Sequence, residues 1–152
     1  MRIFTIVFLS IIFFETSAQQ PVNTTAAPKP KQVCERELEW IDAKPPLTPG
    51  AKLAIVEGNP KAEGHFTIRM KFPPYYKIPA HTHPVDERTT VLKGAMNIGF
   101  GDVLDTTNAK RLNEGCFYMN PAGVHHYAFT SEQETIIEIS TNGPWKLELL
   151  KK

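Results

Sequence analysis

GHFTIRMKFPPYYKIPAHTHPVDE, residues 64–87, is the stretch whose pattern decides the fold class. Its first nine residues alternate: Phe66, Ile68, Met70 and Phe72 fall on one face of an extended strand, and Thr67, Arg69 and Lys71 on the other. A period of two turns one face to a core and the other to water. Two prolines close the strand, and a second extended run leads into HTHPVDE, residues 81–87. There His81 and His83 point to the same side, about 7 Å apart by the strand rise, while Thr82 faces away. Pro84 has no N–H for a ladder. A turn over Val85 and Asp86 returns Glu87 toward the two imidazoles. Two imidazoles and a carboxylate converging this way suit a divalent metal. Asp86 is the rival carboxylate.

On either side of this stretch, short extended runs follow at close intervals. AKLAIVEG (51–58) ends in a Gly-Asn-Pro turn, and RTTVLKG (88–94) and AMNIGFG (95–101) meet at a glycine. A short strand is predicted around Lys110–Leu112, and CFYMN (116–120), HHYAFTS (125–131), ETIIEIS (134–140) and WKLELL (145–150) complete the series. ERELEW (35–40) reads either as a short helix or as an edge strand. The chain has no internal repeat and no amphipathic segment long enough for a core helix. The pattern predicts an all-β, antiparallel sandwich or barrel. A chain of 152 residues suits one domain. Its net charge of +1, without a basic stripe, offers nucleic acid no electrostatic footing.

The N-terminus follows a different rule. MRIFTIVFLSIIFFETSAQQ, residues 1–20, runs from a positive Arg2 through an apolar core, Ile3–Phe14, to the small residues Ser17 and Ala18. That is the order of a secretory signal, with cleavage after Ala18. The apolar core is short of the roughly 20 residues that cross a bilayer. The expected division is a signal peptide over 1–18, a flexible linker over 19–35 and a folded domain over 36–152. The product is then secreted or periplasmic, with no membrane partner after cleavage. In such a compartment Cys34 and Cys116 can form a bridge, which the chain-entropy model values at roughly 4–5 kcal/mol. They can equally remain thiols packed as small hydrophobes. The residues leave both states open.

The second half brings a matching set of residues. GCFYMNPAGVHH, residues 115–126, places a histidine pair after a strand and a Pro-x-Gly turn. The spacing H-x-H-x3-E-x6-G, met by His81, His83, Glu87 and Gly94, resembles the first motif of the cupin superfamily. G-x5-P-x-G-x2-H, met by Gly115, Pro121, Gly123 and His126, resembles the second. Over roughly residues 36–150 the chain also looks like a group of small, exported, single-domain bacterial cupins. The resemblance implies an antiparallel jelly-roll β-barrel that holds one divalent metal ion through His81, His83, Glu87 and His126. It implies a homodimer joined through barrel edges. Neutral imidazoles with one carboxylate suit Fe, Mn, Ni, Cu or Zn. The two motifs are expected to face each other across the barrel, with Gly94 and Gly123 at turns where a side chain would obstruct. Two positions depart from the pattern: Tyr75 stands where glycine is usual, and Thr130 where asparagine is usual. Strand alternation puts His125 on the face opposite His126.

Three histidines and one carboxylate leave a divalent site with a charge of about +1, which favours a small anionic substrate. Two classes of function follow. One is a metal-dependent oxygenase, or an isomerase or lyase in which the metal acts as a Lewis acid. The other is a non-catalytic module, stabilised by its metal, that binds or senses a small molecule. Outside the ligand set no general base is evident unless Glu138, His125 or a tyrosine points inward. Phe100, Phe117 and Met119 either wall the cavity or form ordinary core, and Trp145 is a lid or interface residue. A roomy, partly polar cavity favours an enzyme. A site plugged by Phe117, Met119 or Tyr127 favours a structural metal.

Overall fold

The computed structural model describes residues 30–150. The expected signal peptide and most of the expected linker lie outside the described residues. The first ordered element is a single 3₁₀ turn, Glu35–Glu37, followed by a two-residue strand β1 (Ile41–Asp42). ERELEW therefore starts as a helical turn and is not an edge strand. The strands that follow are β2 (Lys52–Glu57), β3 (Gly64–Phe72), β4 (Lys77–Thr82), β5 (Glu87–Lys93) and β6 (Ala95–Phe100). After the 101–109 connection come β7 (Lys110–Asn113), β8 (Phe117–Asn120), β9 (His126–Thr130), β10 (Thr135–Gly143) and β11 (Glu148–Leu149).

These strands form two antiparallel sheets. One has the order β1-β2-β3-β10-β5-β8 and the other β11-β4-β9-β6-β7. β3 supplies Phe66, Ile68, Met70 and Phe72 to the core, all at most 3% exposed, as its alternation requires. Ile137 and Ile139 of β10 join them, and Ile78, Met96, Ile98 and Ala128 of the second sheet pack against the cluster. Burying side chains of this size contributes about 1.5–3 kcal/mol each. On the outer face Arg69 and Glu138 sit directly opposite in register and form a half-buried ion pair, Nε to Oε2 2.9 Å. Ser140 also faces outward, with its hydroxyl 3.0 Å from that of Thr67.

The architecture is a double-sheet jelly roll. Among the described residues no ladder joins the two sheets, so the expected barrel is a sandwich. The meeting of RTTVLKG and AMNIGFG at Gly94 is real but is not a hairpin. β5 and β6 lie in different sheets, and Gly94 is where the chain crosses between them. Cys34 and Cys116 are free thiols, the first exposed and the second packed on the edge of the core.

The two departures from the motif pattern turn out to be one local device. Tyr75 has φ 59°, the left-handed region in which glycine is at ease. Its N–H donates to Ser131 O. Thr130 Oγ1 donates to Pro73 O at 2.7 Å and accepts the N–H of Tyr76 at 2.8 Å, so its hydroxyl clamps both ends of the same turn. A left-handed residue with a Cβ costs about 1–2 kcal/mol, and glycine's extra freedom when unfolded returns part of that. Tyr75→Gly is expected to stabilise the domain by up to about 1 kcal/mol in a denaturant titration. A loss of stability would mean that the exposed tyrosine ring makes contacts that outweigh the strain.

Candidate metal centre

His81 is the penultimate residue of β4, His83 lies one residue beyond the strand, and Glu87 opens β5 after the bend at Pro84 and Val85. His126 opens β9 and is the direct register partner of His81. The two motifs therefore do not face each other across the fold. Their histidines are neighbours on adjacent strands of one sheet, and Glu87 comes across from the other.

The three imidazoles form a buried cluster. Ring centroids are 4.1 Å apart for His81 and His126, 5.0 Å for His81 and His83, and 5.2 Å for His83 and His126. One nitrogen from each lies within 4.8 Å of the others. Bonds of about 2.1 Å from one ion would reach all three after small shifts. Glu87 Oε2 stands 3.4 Å from His83 Nε2 and 3.5 Å from His126 Nε2.

Each ring is held from behind by the main chain. Nδ1 of His81 lies 2.7 Å from Pro79 O, that of His83 2.7 Å from Lys146 O, and that of His126 3.1 Å from Val124 O. With Nδ1–H donating to a carbonyl, the lone pair of Nε2 is free, which is the tautomer that binds a metal. Nε2 of His83 and of His126 are buried without a hydrogen-bond partner. Buried polar atoms of native proteins are normally satisfied. Two orphaned lone pairs beside a carboxylate are what a cation would satisfy, so this donor set fits a divalent metal.

The electrostatics fit as well. Burial, then the neighbouring charge of His126, pulls His81 down to about 4, so it stays neutral near pH 7. Burial alone would raise Glu87, but the His126 and His83 imidazoles beside it outweigh that and hold the carboxyl below the usual carboxylate range. Burial would also lower His83, but the Glu87 carboxylate beside it raises it instead. Asn120 Nδ2 donates to Glu87 Oε2 at 2.8 Å, with both residues buried. Sequence reasoning missed this residue, because only the pairing of Glu87 with Asn120 across β5 and β8 brings them together. Removing an outer hydrogen bond of this kind typically costs 10- to 100-fold in metal affinity. Asn120→Ala is expected to fall in that range when wild type and variant compete with a chelator for metal. Equal affinities would show that Asn120 does not orient Glu87.

Other singled-out residues lie elsewhere. His125 is on the outer face, its Nδ1 2.7 Å from Asp102 Oδ1. Asp86 is also outside, accepting from Ala122 N and Arg88 and so tying down the second-motif turn. Phe117 and Met119 are 59% and 41% exposed and neither wall the cavity nor belong to the core. β8 is an edge strand whose alternation sends Tyr118 and Asn120 inward and these two outward. Phe100, at the end of β6, is also exposed. Tyr127 is buried, but on the far side of its sheet, its hydroxyl donating to Asn108 O at 2.8 Å. None of these residues plugs the site.

The cavity beside the cluster is small, about 20 Å³, room for roughly one water. Its walls include His81, Glu87, Tyr118, His126, Trp145 and Leu147. Burial, reinforced by the charge of Glu87, pushes the Tyr118 hydroxyl well above the usual tyrosine value. Tyr118 is thus a proton holder at neutral pH and no base, and neither Glu138 nor His125 points inward.

A double-sheet jelly roll with a buried histidine cluster at the ends of β4 and β9 defines a member of the cupin superfamily. Within it, the chain belongs to the family described as Domain of unknown function (DUF4437), whose model matches residues 33–148. A germin-like protein of Oryza sativa subsp. japonica, designated 9-2, is 26% identical over 132 residues, 86% of this chain and 55% of the relative. The chain thus spans about half the length of that relative. Among solved structures, the polyketide cyclase RemF from Streptomyces resistomycificus superposes with a TM-score of 0.69 at 16% identity, over 82% of this chain and 87% of that one. An RmlC-like cupin from Shewanella frigidimarina gives 0.57 at 17% identity, over 75% and 91%. At these identities the structural likeness is one of fold.

Proposed function

We propose that this protein is an exported single-site metal-binding cupin that holds one divalent transition metal through His81, His83, Glu87 and His126 and takes a small anionic ligand. The observation that carries the reading is the set of three imidazoles, each backed by a main-chain carbonyl, with two orphaned Nε2 atoms beside an ionised carboxylate. A metal bound there supplies Lewis acidity or, if iron, redox chemistry. The chain's part is to orient three imidazoles through their main-chain partners, keep His81 neutral by burial, hold Glu87 in place through Asn120, and offer the protonated hydroxyl of Tyr118 at the cavity wall. Fold neighbours do not choose a reaction. The catalytic form of the proposal is an oxygenase, or an isomerase or lyase, acting on a substrate of few atoms. The 20 Å³ cavity supports a second form, a metal-stabilised module that binds or senses a small molecule without turning it over.

Export rests on the order Arg2, Ile3–Phe14, Ser17, Ala18, and predicts a mature N-terminus at Gln19 on sequencing. A homodimer is in keeping with the exposed Phe117 and Met119 on edge strand β8, and light scattering measures it directly.

Metal binding has a direct test. Chelator-treated protein, titrated with Mn(II), Fe(II), Co(II), Ni(II) and Zn(II), is expected to bind one equivalent of at least one of them. A 100-fold excess over Kd adds about 2.7 kcal/mol, equivalent to a rise in Tm of roughly 10 °C. If no metal binds, the ligand assignment is wrong. With metal bound, iron-dependent oxygen uptake or turnover in an anion screen separates the catalytic form from the binding module.

A further inference from the structure

Trp145 follows Gly143 and Pro144, where β10 ends and the chain passes back over the site. Its ring stacks on His83, centroids 5.0 Å apart and planes 19° apart, and leans on Phe66 at 6.4 Å. Its main-chain N–H donates to Pro60 O, and the carbonyl of the next residue, Lys146, takes the Nδ1–H of His83. Two residues later β11 pairs with β4, Leu149 opposite His81. This C-terminal segment therefore supports two of the three imidazoles.

One group in it has no use among the described residues. Trp145 Nε1 is buried and has no partner among the described residues. An indole N–H can only donate, and leaving such a donor buried and unpaired costs about 1–3 kcal/mol. Its location supplies a purpose. Leu47, Met70, Trp145 and Leu147 line both the cavity that contains His81, Glu87 and His126 and a second, outer groove of about 220 Å³. Trp145 is thus part of the partition between the groove and the metal cavity, on the path of anything that enters from that side. The cavity as it stands has room for about one water, so a larger guest must meet this wall.

We propose that Trp145 is the specificity-determining donor of the site: its indole N–H holds an oxygen of a small oxyanion that reaches the cavity from the groove. The proposal rests on the metal-binding reading above for the anion's other anchor. Phenylalanine at this position keeps an aromatic ring beside His83 while removing the donor together with part of the indole's bulk.

The test uses formate as the probe and the zinc-loaded, ¹⁵N-labelled protein. With two tryptophans in the chain there are two indole resonances, and Trp145→Phe assigns them. Formate is expected to move the Trp145 resonance saturably and leave that of Trp40 in place. Trp145→Phe is expected to carry the same metal content as wild type, by elemental analysis, and to bind formate about tenfold more weakly, read from the absorption of the cobalt-loaded protein. Formate binding with an unmoved Trp145 resonance, unchanged affinity in Trp145→Phe, or no formate binding to the metal-loaded protein overturns the proposal. Failure of wild type to load metal is a separate result, and it removes the metal-binding reading together with this one.

Discussion

Wild-type protein is expected to hold one equivalent of metal after reconstitution, and His81→Ala and His126→Ala each to hold less than a tenth of that under the same conditions. These two residues are register partners on β4 and β9, with ring centroids 4.1 Å apart, so removing either opens one whole side of the cluster. The remaining imidazoles keep their carbonyl partners, and the ladder between β4 and β9 does not depend on the side chains. Each variant leaves one main-chain carbonyl without its donor, a cost of about 1–3 kcal/mol. The domain is expected to stay folded by far-UV circular dichroism. His125→Ala is the control: it is adjacent in sequence but outside, paired with Asp102, and should retain full metal content. Loss of metal in His125→Ala with retention in His126→Ala would reverse the strand register and sink the assignment.

The second large effect concerns the fold. Gly94 has φ 74°, and a Cβ there would meet Glu134 O at 2.4 Å and Thr135 Oγ1 at 3.1 Å. Neither atom can move cheaply. Glu134 O is main chain, and Thr135, fully buried, donates from Oγ1 to Ala95 O at 2.8 Å. The left-handed backbone adds about 1–2 kcal/mol for any residue with a Cβ, and overpacking a further 1–3. Gly94→Ala is therefore expected to destabilise the domain by roughly 3 kcal/mol in urea. Gly123 makes the useful comparison. It shares a positive φ of 75°, but a Cβ there meets nothing within 4 Å. Gly123→Ala should cost only the backbone strain, about 1 kcal/mol. Equal effects at the two positions would show that the crossing at Gly94 is not tightly packed. The expectation that a side chain would obstruct both turns holds at Gly94 alone.

Much of this structure was legible in the chain itself. β3 could be read from Phe66, Ile68, Met70 and Phe72, because a period of two needs no partner to reveal it. The motif spacing brought out His81, His83, Glu87 and His126, which the fold gathers into one place. Other features were out of reach for one physical reason: alternation tells which face a residue takes but not which strand lies beside it. Phe117 and Met119 alternate as core residues would, yet β8 is an edge strand and they face outward. Asn120 has no signature of its own, and matters because β8 pairs with β5 opposite Glu87. Tyr75 and Thr130 look like two unrelated departures from a motif until the fold ties them to one turn.

The sequence by itself thus determined the all-β class and the identity and spacing of the four polar residues at the site. Those are local properties, set by period, turn chemistry and the donor types that suit a metal. Only the tertiary structure decided that His81 and His126 are neighbours in one sheet, that Asn120 holds Glu87, and that Trp145 stacks on His83 with its N–H unspent. Each of these depends on contacts between residues 33 to 62 positions apart, and such contacts form only when the two sheets close over a common core.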